Sequence, residues 1–196
     1  MNRREWLKNM SALAIGAIAG PSLLAVFDAH AASQKPEAKP QFFKPAQYSL
    51  VGAVSEIVIP RTDTPGALDA GVPLFIDQLF QAVYSKADQS RYLAAMAAFD
   101  KAGGKPFLQL DDAQRKALVT RLHAEALRVP KGSKPAPAAD FVLMSKKLTM
   151  LGFFLSQPGC TQVLQYDPVP AAWKADIPLA KAGNGRAWAV ETELKI

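Results

Sequence analysis

The chain has 196 residues, with 23 Lys and Arg against 17 Asp and Glu, a formal charge of +6 at pH 7, and 49% apolar residues. A mild positive excess with no dense Lys/Arg block excludes the footprint of a nucleic-acid binder and suits solubility or an acidic partner. A single cysteine, Cys160, excludes an intramolecular disulfide, so packing has to carry the fold.

The first segment reads as an address. Asn2-Arg3-Arg4-Glu5-Trp6-Leu7-Lys8 places an arginine pair ahead of an aromatic-leucine-lysine run, the order of a twin-arginine export signal. A mildly apolar stretch follows from Ser11 to Val26, broken by Gly16, Gly20 and Pro21, and so less apolar than a membrane-spanning helix. Ala29-His30-Ala31, with Ala32 behind it, offers small residues where a signal peptidase reads, and cleavage is expected after Ala31, with Ala32 the other choice. An ordinary secretory signal or a short anchor is the competing reading, and the coincidence of arginines, apolar run and cleavage site favours twin-arginine export to the periplasm. Loss of residues 1–31 removes three cations and two anions and leaves a charge of +5. The remainder, about 165 residues, is the size of one domain with its own core. No later stretch is apolar for long enough to span a bilayer.

Residues 32–45 are rich in Lys, Pro, Gln and Glu, and read as a flexible leader in which only Phe42 and Phe43 could anchor anything. From Ala46 to Ile59, Leu50, Val51, Val54, Ile57 and Val58 recur at helical spacing, and Pro60 ends the pattern. Thr62-Asp63-Thr64-Pro65-Gly66-Ala67 is a chain reversal, because Pro65 presets φ and Gly66 is free to take positive φ. Val72 to Tyr84 predicts a second helix with Pro73 in its first turn. Asp88 is the expected cap of a third, carrying Tyr92, Leu93, Met96 and Phe99 and closed by Gly103-Gly104. Asp111 caps a fourth that runs through Leu127 to Pro130. Lys131 to Ala139 reads as a polar, proline-containing connector. Phe141 to Leu155 is apolar around much of its circumference and is the expected central helix. A short helical piece at Thr161–Gln165 follows, and from Tyr166 onward the chain is a tail of prolines, glycines and aromatics. No alternating strand pattern or repeat is visible, so the expected class is all-α, a single helical domain over 46–196 with about five main helices and an irregular tail.

The chemistry-bearing residues are few. Beyond residue 31 the chain keeps one histidine, His123, and one cysteine, which cannot assemble zinc or an iron-sulfur cluster. No Cys-x-x-Cys-His, Gly-x-Gly-x-x-Gly or Gly-x-Ser-x-Gly occurs, so this chain is expected to hold no cofactor of its own. His123 reads as a surface or half-buried helix residue, Asp111-Asp112 as helix-start charges, and Cys160 as a buried, inert thiol. In the tail, Tyr166, Trp173 and Trp188 stand among Pro168, Pro170 and Gly185-Arg186. Rigid backbone with amphipathic rings suits burial against the bundle or a protein interface, and Tyr166, Pro168, Pro170, Trp173 and Trp188 are the candidate partner surface.

Three segments together carry a family resemblance. They are Ile59-Pro60-Arg61-Thr62-Asp63-Thr64-Pro65-Gly66-Ala67 with Ala70-Gly71-Val72-Pro73-Leu74-Phe75-Ile76-Asp77, then Gly152-Phe153-Phe154-Leu155-Ser156-Gln157-Pro158-Gly159, then Tyr166-Asp167-Pro168-Val169-Pro170. Across nearly the whole of residues 46–196 the chain resembles the small subunit of the gluconate 2-dehydrogenase type, subunit 3. The resemblance implies an accessory subunit beside a large FAD-dependent flavoprotein of the glucose-methanol-choline class, in some complexes with a cytochrome c, in a periplasmic sugar or polyol dehydrogenase. It further implies that Arg3 and Arg4 engage the twin-arginine translocase on behalf of a folded flavoprotein. Family members often carry a cysteine after the tyrosine-proline segment, where this chain reads Trp173-Lys174-Ala175-Asp176. The alternative from the residues alone is an autonomous periplasmic enzyme or small-ligand binder that uses Asp63 and Asp77.

Overall fold

A computed structural model describes residues 39–130 and 132–165, together with Pro178 and Arg186. Five helices make the body: α1 (Pro45–Val58), α2 (Val72–Ala82), α3 (Lys86–Lys101), α4 (Asp112–Leu127) and α5 (Pro137–Phe154). A single 3-10 turn, Phe107–Gln109, links α3 to α4, and a π turn, Gly159–Val163, follows α5. No strand occurs among the described residues, so the all-α expectation holds.

α5 packs against all four other long helices and is the axis of the bundle. Phe141, Val142, Leu148 and Phe153 supply its apolar contacts, but it also buries Ser145 and Thr149. Those hydroxyls are spent across helices: Ser145 Oγ meets Tyr92 Oη of α3 at 2.9 Å, and Thr149 Oγ1 meets Ser55 Oγ of α1 at 3.1 Å. A buried hydroxyl without a partner costs about 1–3 kcal/mol, so each pair fixes the register of two helices as well as filling space. Gly152 lets α2 come close, because a Cβ there would lie 2.6 Å from Phe75 Cδ1.

Rings connect the elements. Phe80 of α2 lies 4.3 Å from Tyr92, Tyr92 5.2 Å from Phe141, Phe141 4.8 Å from Phe99, and Phe99 4.8 Å from Phe107. All five are fully buried, each contributing about 1.5–3 kcal/mol by area alone. Burial also pushes the Tyr92 hydroxyl well above its ordinary range, with the Ser145 hydrogen bond opposing the shift.

Three boundaries differ from the sequence-based reading. Ser85, not Asp88, caps α3: Ser85 Oγ accepts from the Asp88 amide and donates to Asp88 Oδ2 at 2.6 Å. Asp88 therefore sits in the first turn, where its charge meets the helix dipole. α5 starts at Pro137, four residues before Phe141, because Pro137 presets φ at the first position and Asp140 is held by Arg91 at 2.6 Å. The helical piece after α5 begins at Gly159 and is a π turn, set by Ser156 Oγ, which donates to Phe153 O at 2.6 Å and accepts from the Gly159 amide at 3.1 Å. The α4 cap is as expected, with Asp111 Oδ1 accepting from the Gln114 amide at 2.8 Å.

Candidate functional site

Asp77, one of the two carboxylates an autonomous enzyme or small-ligand binder would use, is fully buried on the second turn of α2. Three consecutive main-chain amides point at it. Gln41 N donates to Oδ2 at 2.7 Å, Phe43 N to Oδ1 at 2.7 Å, and Phe42 N reaches both oxygens at 3.1 and 3.2 Å. Charge-assisted bonds of this kind are about twice as strong as neutral ones, and they satisfy amides that no helix serves. The end of the expected flexible leader is therefore tied down. Phe43 is buried against Phe80 and Tyr92, and Phe42 stacks on Phe80 at 5.4 Å. Burial, and after it the Asp77 charge, raises the Tyr48 hydroxyl above its usual range.

The motif loop between α1 and α2 repeats the device at the surface. Glu56 Oε1 accepts from the Arg61 amide at 3.0 Å and Oε2 from the Leu68 amide at 3.3 Å. Asp69 takes the Gly66 amide at 2.9 Å and the Arg61 guanidinium through two bonds of 2.6 and 2.8 Å. The Gly66 amide, more than Arg61, holds the Asp69 carboxyl below its ordinary value. Gly66 does not take the positive φ its place in the turn suggested; it is needed for space, since a Cβ would lie 2.6 Å from Arg61 N. Gly71 takes φ +69, the left-handed region, immediately before α2. Asp63 is exposed on this loop while Asp77 is buried in α2, so the two carboxylates of the autonomous-enzyme reading occupy different environments.

Two grooves mark the surface. The first, about 710 Å³, is lined by Tyr48 and Gly52 of α1, Leu68 of the motif loop, Pro73 of α2, and Asp112 and Lys116 of α4. Leu68 is 51% exposed at its edge. The second, about 560 Å³, lies between α3 and α5 and carries Tyr84, Arg91, Lys134, Asp140, Met144 and Lys147. Arg91 and Asp140 are already paired across it.

His123 is half-buried on α4, as expected, and its Nε2 lies 3.1 Å from Lys146 Nζ of α5. Burial first, and the Lys146 charge second, lower its pKa below the ordinary histidine value. Cys160 is half-buried instead of fully buried, with its thiol donating to Phe154 O at 3.0 Å. Among the described residues no group of three or more His, Cys, Asp or Glu is placed to hold a metal, and no helix is long and apolar enough to cross a membrane. Arg3, Arg4, the cleavage site, Tyr166, Pro168, Pro170, Trp173 and Trp188 lie outside the described residues.

The sequence carries a signal for the amide clamp only in hindsight: an acidic residue in the middle of an otherwise apolar helix, Leu74-Phe75-Ile76-Asp77-Gln78-Leu79-Phe80, 34 residues from two adjacent phenylalanines. An aspartate so placed needs donors, and the clamp supplies them.

The family model described as Gluconate 2-dehydrogenase subunit 3 matches residues 45–170, from the first residue of α1 to the tyrosine-proline segment. No curated protein and no solved structure matches the chain.

Proposed function

This chain belongs to the gluconate 2-dehydrogenase subunit 3 family, a subunit of a multi-subunit dehydrogenase complex, and from that membership we propose a non-catalytic role for it. It is the small subunit of a periplasmic FAD-dependent sugar or polyol dehydrogenase of the glucose-methanol-choline type. It stabilises the flavoprotein and brings it, already folded and flavin-loaded, through the twin-arginine translocase by way of Arg3 and Arg4. A cytochrome c completes the complex where electrons pass onward to the membrane. The FAD belongs to the flavoprotein.

The observation that carries this reading is the family match over the helical body. What the motif residues do in the fold supports it. Asp77 gives both oxygens to backbone amides, Asp69 holds Arg61 and Gly66, Gly152 admits Phe75, and Ser156 caps the turn that opens with Gly159. These residues are engaged in holding the fold.

The test is co-expression with the flavoprotein encoded beside it, followed by fractionation and flavin-dependent dye reduction. A stable complex is expected, with periplasmic activity that disappears when Arg3 and Arg4 are both changed to Lys or when this chain is omitted. A flavoprotein that reaches the periplasm equally well in either case sinks the escort role.

A further inference from the structure

We propose that residues 41–43 form a strap that Asp77 fastens to the helical body, and that this strap opens as a unit while the core stays closed. The inference concerns the chain's own fold and stands whether or not the escort role does.

Polar satisfaction changes hands between Phe43 and Lys44. From Lys44 onward the chain looks after itself: the Lys44 amide donates to Gln47 Oε1 at 2.9 Å, inside the first turn of α1. Before Lys44, the amides of Gln41, Phe42 and Phe43 all depend on one side chain 34 to 36 residues away. These three residues form a bend with no helical bonds of their own. The bend can be tied only once α2 stands against the start of α1, so its attachment reports that this part of the fold is complete.

The rings divide at the same boundary. Phe42 and Phe43 rest on Phe80 and Tyr92, but neither is needed to hold those two together. Phe80 packs directly against Tyr92, tilted by 33° at 4.3 Å, and Tyr92 is fixed by Phe141 and by Ser145 Oγ at 2.9 Å. Gln41 is exposed and Phe42 only half-buried, so water reaches the strap from its outer side. Lifting it removes the contacts to one carboxylate and to the Phe80 and Tyr92 rings and leaves α2, α3 and α5 packed, the hallmark of a small cooperative unit at the low-stability end of a domain. Closed, it fixes where the preceding residues leave the body; open, it uncovers Phe80 and a carboxylate that accepts backbone N–H groups.

The experiment is amide hydrogen exchange with mass detection on the full chain and on Asp77→Asn, which keeps the shape of the side chain but turns one acceptor into a donor facing N–H groups. Fragments spanning 39–44 should exchange at least about tenfold faster in the variant, with fragments of α3 and α5 unchanged. An equal rise in α3 and α5, or no rise in 39–44, overturns the proposal. Should Asp77→Asn not fold, Phe42→Ala decides by the same two readouts, since it removes a half-buried ring and leaves the inner rings in place.

Discussion

Asp77 and the Glu56–Asp69 pair each gather main-chain N–H groups from a stretch that has no helix of its own, the first in the interior and the second in water. Asp77 is fully buried and binds three successive amides. Asp69 shares one amide with a guanidinium whose side chain is 70% exposed, and Glu56 takes two amides at the surface. The bonds are alike in length, yet the energetics differ. At Asp77 a lost acceptor strands the buried Phe43 amide beyond the reach of water, whereas at the surface water replaces it. Depth, more than bond count, decides what each carboxylate contributes.

The largest expected effect is from Asp77→Ala, which leaves three amides without their acceptor and should lower stability by about 3–5 kcal/mol in urea unfolding followed by circular dichroism. A loss below about 1 kcal/mol would erase the distinction between the two sites. Next comes Gly66→Ala, whose new Cβ would sit 2.6 Å from Arg61 N and 3.0 Å from Pro60 C, both backbone atoms that cannot rotate away. Its expected cost is about 1–3 kcal/mol in the same assay, which would show that close backbone approach holds the motif loop more firmly than its ion pair does. The smallest effect is from Arg61→Ala, under about 1 kcal/mol and shrinking further in high salt, as for other exposed pairs.

Acid should sharpen the contrast. The Asp69 carboxyl lies below its ordinary 3.8 in the folded chain. Its stabilising contribution is therefore present above that value and lost as pH falls through the lower, folded one. Asp69→Asn should flatten the stability profile over that interval, and an unchanged profile would remove the hydrogen-bonded role assigned to Asp69.

The helices were largely legible. Apolar residues at helical spacing mark α1 through α5, and Asp111 marks the start of α4 because an N-cap is a local contact satisfied within one turn. Pro60 marks the end of α1 and Pro65-Gly66 the reversal, since proline acts through its own backbone, although Gly66 serves by its missing Cβ and not by a positive φ. The α3 cap lies three residues before the one sequence favours, because Ser85 and Asp88 are both good cap residues and only geometry chooses between them. The attachment of the leader's end is not legible in sequence, because Lys-Pro-Gln composition says nothing about a carboxylate 34 residues further on. For the same reason Asp77 could be taken for a reactive group.

By itself the sequence determined the all-α class, the order of the helices, the central place of α5 and the motif blocks of the family, because periodicity, caps and turn residues act over a few neighbouring positions. Tertiary structure alone decided that Ser145 and Thr149 tie α5 to α3 and α1, that Asp77 takes up the end of the leader, and that Gly152 is there to admit Phe75. Each of these joins residues far apart in the chain, and a buried polar group or a missing Cβ acquires meaning only when the partner it faces is in place.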